Sequence, residues 1–137
     1  MNWQSCALAS AFFAALTAIL AKVGVKGVDS NLATAIRTVV ILLVAWSIVL
    51  AQGTYRSIPQ LSGRTLSFLV LSGLATGASW LFYFRALRLG PASRVAPLDK
   101  MSVPLAVLLA VLVLHEPFTW KIALGVVMIV VGALLLL

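Results

Sequence analysis

Charge and sulfur are scarce in this chain of 137 residues: 9% of positions are charged, and Cys6 is the only cysteine. A lone cysteine excludes an intramolecular disulfide. With His115 as the single histidine, no Cys/His cluster of zinc spacing can be built either. Metal sites are thereby set aside, and no cofactor is expected. No Ser/His/Asp set falls on one face, so an enzyme is not expected. Polar sequence is also scarce. The longest polar stretch, Gln52 to Arg64, holds Gly53, Pro59 and Gly63, and nothing in the chain could house soluble chemistry. The net charge of +7 would suggest nucleic acid in a soluble domain. Here the basic residues mostly punctuate the ends of apolar runs, where they anchor against headgroups. No basic patch with interleaved aromatics exists, so nucleic acid is not an expected partner.

What fills the chain is apolar sequence, at 63% hydrophobic residues with a mean hydropathy of +1.15. Five stretches, residues 3–23, 32–51, 66–84, 95–114 and 118–137, approach the roughly 20 residues that cross about 30 Å of hydrocarbon. They predict an all-α integral membrane protein with five transmembrane helices in one domain, residues 1–137. The N-terminus lacks the positive region of a signal peptide, and its apolar run reads as a retained first helix. Gly24 and Gly27 suit the end of that helix, and Asp29, Ser30 or Asn31 can cap the second. Gly90-Pro91 separates helices three and four, and Glu116-Pro117 is read as opening helix five.

Short connections make neighbouring helices antiparallel. Arg56, Arg64 and Lys121 then share the face of the N-terminus, while Lys22, Lys26, Arg85, Arg88 and Arg94 lie on the other. The positive-inside rule favours the second face as cytoplasmic. The difference of three against five leaves insertion both ways open, and an odd number of spans could pair with an inverted copy.

Small residues mark faces where helices can approach. Ala7, Ala11 and Ala15, flanked by Ser10, Ala14 and Ala18, repeat every four residues, Gly73 and Gly77 form a GxxxG, and Gly125 and Gly132 share a face. All three are read as packing faces, within one bundle or at a dimer seam. Trp80, Phe82, Tyr83 and Phe84 are read as ending helix three, either as an interfacial belt or as a cavity wall for an aromatic or cationic ligand.

Helix four is where chemistry could sit, because intramembrane ionisable groups are costly to keep there. In Arg94-Val-Ala-Pro-Leu-Asp-Lys-Met-Ser-Val-Pro, Asp99 and Lys100 lie inside the predicted span. Pro104 cannot bond the carbonyl of Lys100, and Pro97 likewise frees that of Ser93. A kink with bare carbonyls beside the charged pair follows, with Ser102 and Pro104 placed at a cavity. Adjacent helical residues point about 100° apart, so Asp99 and Lys100 each need a partner elsewhere. Arg37, about six residues into helix two at similar depth, is one candidate. The plain alternatives are a snorkelling anchor for Arg37 and a structural ion pair for Asp99-Lys100. The functional reading makes Asp99 a proton- or cation-coupling residue, with Lys100 and Arg37 tuning it or binding anionic substrate groups. Glu116 is read as a cap or headgroup-level contact.

The run Leu81-Phe-Tyr-Phe-Arg-Ala-Leu-Arg-Leu-Gly-Pro-Ala-Ser, then Val103-Pro104, Leu114-His-Glu-Pro-Phe-Thr, and Gly125 with Gly132, resembles the signature of EamA domains in the drug/metabolite transporter superfamily. Arg37 after Ala35 fits the same pattern, and the Asp99-Lys100 segment is similar to a motif of single-unit members. Such proteins commonly carry two five-helix units in opposite orientation around a central cavity, whereas this sequence carries one. The resemblance therefore implies a ten-helix assembly made by an antiparallel homodimer, or by a heterodimer with another half-size unit. The small multidrug resistance proteins resemble a four-helix version of that design. It also implies a secondary transporter of small metabolites or drugs in a prokaryotic plasma membrane, with membrane lipid and a small-molecule substrate as partners. A non-transporting membrane subunit, including a component of a lipid-linked sugar flippase, is the other class left open.

Overall fold

A computed structural model describes residues 2–137. The described residues form six α-helices and one short 3₁₀ helix, with no strand. They are α1 Trp3–Gly24, α2 Ser30–Gln52, the 3₁₀ turn Thr54–Gln60, α3 Gly63–Leu89, α4 Ala92–Asp99, α5 Ser102–Leu114 and α6 Trp120–Leu135. Four segments are long and apolar enough to cross a bilayer: α1, α2, α3 and the run Ala92–Leu114 that contains α4 and α5. α6 has 16 residues, or about 24 Å, short of the roughly 30 Å a span requires.

Three boundaries differ from the sequence reading, each for a local reason. α3 runs to 27 residues and continues past the aromatic cluster to Leu89, because no breaker intervenes before Gly90-Pro91. The helix expected to open at Pro117 opens at Trp120 instead. There Thr119 takes an extended conformation, and its hydroxyl accepts from the Ile122 N–H at 3.4 Å. The fourth apolar run is interrupted rather than bent, with Lys100 and Met101 between α4 and α5.

The chain divides into two compact units, one comprising the segment up to Leu20 together with Leu89–Leu137, the other Ala21–Arg88. In the second unit, Ala21 near the end of α1, Val25 in the turn after it, Ser30 and Thr34 from α2, and Phe84 and Leu87 from α3 are all buried. The Thr34 hydroxyl donates to the Ser30 carbonyl at 2.8 Å, as a polar group shielded from water must find an internal partner. Lys22 reaches across to donate from Nζ to the Leu87 carbonyl. A cation there satisfies a last-turn acceptor and opposes the negative end of the α3 dipole.

Asp29 fixes the start of α2. Its carboxylate accepts from the N–H groups of Asn31 at 2.9 Å and Leu32 at 3.2 Å, and its second oxygen lies 3.6 Å from Arg88. At the other end Gly53 closes α2 at φ 68°, a left-handed conformation that glycine adopts without a Cβ clash. Asp29→Ala should lower stability by about 1 kcal/mol through loss of the cap. The Arg88 pair adds little, both side chains being more than half exposed at 51% and 58%. Asp29→Ser should recover most of the loss in a thermal melt in detergent. Equal melting of the Ala variant and the parent would show that the cap contributes nothing.

Candidate functional site

The sequence-predicted residues gather at two places, one in each unit. In the Ala21–Arg88 unit, the Arg37 guanidinium lies 4.0 Å from the centroid of the Trp80 ring and 5.3 Å from that of Phe84. Trp80 and Phe84 stand four residues apart on α3 and so share a face, which is why one cation meets both rings. Tyr83 packs edge-on against Phe84, with ring centroids 6.4 Å apart. Arg37 itself is half-buried. The aromatic cluster and the intramembrane arginine, singled out separately in the sequence, thus form one group. Neither periodicity nor composition could have joined them, because the join depends on which faces of α2 and α3 meet.

Asp99 and Lys100 belong to the other unit. There the structure corrects two expectations. Lys100 Nζ stands 3.6 Å from Asp99 Oδ2, so the neighbours do face each other. The backbone stays right-handed at Lys100, φ −69° and ψ −6°, so the length of the lysine side chain is what lets it reach the carboxylate. The Lys100 carbonyl is not bare: Val103 donates to it at 2.9 Å, one residue earlier than Pro104, which has no N–H. The Lys100 and Met101 amides likewise bond three residues back, to Pro97 and Leu98, each at 3.0 Å. The two prolines therefore convert about one turn from α to 3₁₀ pairing and divide the span. Asp99 is 38% exposed and Lys100 55%, so both remain reachable.

Ser102 opens α5, and Pro104 lies in its first turn. Ser102 also lines an apolar groove of about 490 Å³ beside Val107, Ala110, Val111, Glu116 and Ile122. The sequence reading places Ser102 at a cavity together with Pro104, which is not among the residues lining this groove. After α5, His115 at φ 55° reverses the chain, and Glu116 N–H returns to the Ala110 carbonyl at 3.2 Å. At Gly73, Gly77, Gly125 and Gly132 an added Cβ would meet nothing within 4 Å.

An apolar span interrupted beside ionisable groups, and a cation held on rings within another span, are features found in membrane transport proteins. The EamA-like transporter family matches residues 1–137, and the chain belongs to that family. It is 57% identical over 135 residues, 98% of this chain and 96% of the relative, to an uncharacterised transporter in the cobO 3′ region of a Sinorhizobium species. It is also 30% identical over 82 residues, 60% of each chain, to an uncharacterised protein of Methanocaldococcus jannaschii. No solved structure matches. The protein is an integral membrane protein of a transporter family.

Proposed function

We propose that the chain is half of a secondary transporter for small metabolites or drugs, working by alternating access and coupled to protons through Asp99. Two copies in opposite orientation, or one copy with another half-size unit, complete it as ten spans in a prokaryotic plasma membrane. The observation that carries this reading is the interruption at Lys100–Met101, which presents an exposed acid and base inside an apolar span. A charge retained at such cost suits a site that must bind and release. In this assembly residues 118–137, of which α6 is the helical part, supply the fifth span, its short helix matched by local thinning of the bilayer, and the small-residue faces at Gly73, Gly77, Gly125 and Gly132 meet the second copy.

The 3.6 Å contact between Lys100 and Asp99 favours a second reading, in which the pair neutralises itself and the chain is a non-transporting subunit, such as a component of a lipid-linked sugar flippase. Uptake by proteoliposomes separates the two. A panel of labelled amino acids, organic acids and cationic drugs should include compounds that enter faster than into protein-free vesicles. Rates equal to protein-free vesicles across the panel would support the subunit reading.

A further inference from the structure

Arg37 occupies the ring face on which a cationic ligand would otherwise rest. Trp80 and Phe84 already hold the guanidinium at 4.0 and 5.3 Å, so a second cation there would meet like charge. A cation–π contact uses the charge of a guanidinium and not its hydrogen-bonding capacity. The guanidinium N–H donors lie in the plane and at the edge, arranged as a fork that matches a carboxylate. Ring faces offer those donors no strong acceptor.

The surroundings supply no anion from within the unit. Asp29 is the only acid in Ala21–Arg88, and it is engaged with Arg88 and with two amides at the start of α2. The hydroxyls of Thr34 and Thr38 donate to the Ser30 and Thr34 carbonyls, each at 2.8 Å, and can offer Arg37 only a neutral acceptor. Seven of the chain's ten Lys and Arg residues fall in this unit against that single acid, which places +6 of the formal +7 there.

We infer that the Arg37–Trp80–Tyr83–Phe84 group is a binding site for a small organic anion. The ligand's carboxylate takes the edge of Arg37, and its apolar or aromatic body lies along the exposed parts of Trp80 and Tyr83, Phe84 being buried behind them. This rests on the transporter reading and narrows it, selecting organic carboxylates over cationic drugs. Arg37 and Trp80 recognise the ligand, and Asp99 is not required for that step.

Tryptophan fluorescence tests the site directly. With Trp3, Trp46 and Trp120 replaced by Phe, Trp80 is the remaining indole of the four, and the full chain is placed in zwitterionic lipid nanodiscs. Benzoate should change the Trp80 signal saturably, and benzyltrimethylammonium should not. Arg37→Lys keeps the charge but loses the fork, and should weaken benzoate by about tenfold or more, the worth of one charge-assisted hydrogen bond. A saturable response to benzyltrimethylammonium instead of benzoate overturns the assignment, and this comparison needs no change at Arg37. So does an unchanged benzoate affinity in a folded Arg37→Gln variant. Loss of the benzoate response when phosphatidylglycerol is added would make the natural anion a lipid headgroup, which also overturns it. Failure of the transporter reading looks different: benzoate binds as expected, yet vesicles show no flux of any organic acid.

Discussion

A membrane-impermeant maleimide added outside intact cells will label Cys6 on one fraction of the molecules and leave a comparable fraction protected until the membrane is opened. Cys6 is exposed in the first turn of α1 and is the only thiol, so its accessibility reports the side on which each molecule places that end. Three cations against five give a weak orientation signal, and weak signals permit both insertions. An inverted pair also holds its two Cys6 thiols on opposite sides of roughly 30 Å of hydrocarbon. A disulfide needs Cα atoms within about 7 Å, so oxidation should not link the protomers of an active assembly. Transport by a Cys6-linked dimer would contradict the inverted arrangement, as would uniform labelling in a homodimer. A strictly monomeric species that transports would remove the dimer altogether.

The second large effect is expected at Asp99. Replacement by Asn keeps the size and hydrogen-bonding reach of the side chain but removes its proton exchange. Substrate flux driven by a pH gradient should fall to the level of protein-free vesicles. Melting behaviour and assembly should change little, because Asp99 is 38% exposed and its ion pair is with its own neighbour. Asp99→Glu should retain part of the flux, since the carboxylate survives with its position shifted by one methylene. A folded Asn variant that transports at the parental rate across the pH range would make the pair structural.

Much of the helical layout was legible because its cause is local. Length and continuous hydropathy suffice for α1, α2 and α3, and Gly90-Pro91 marks the turn after α3. Pro97 and Pro104 forecast a disturbance beside Asp99, because a residue without an N–H leaves an acceptor unpaired in the interior of a continuous helix. How the backbone absorbs that loss was not legible. The Val103 amide shifts by one acceptor to the Lys100 carbonyl, and the helix divides instead of bending. The end of α3 was placed too early because Arg85 and Arg88 look like a boundary, yet Leu87 between them is fully buried and holds the helix in place. Arg37 and Trp80 were each recognisable as unusual, but they are 43 positions apart, and their stacking is a property of the α2–α3 contact.

Proton movement during substrate flux tests the coupled-transport account most directly. Vesicles loaded with a pH-reporting dye and carrying the wild-type chain should change internal pH when a transported compound is added. The same vesicles carrying Asp99→Asn should not. Transport by the wild type without any accompanying proton movement, or an equal proton signal from both proteins, would contradict it.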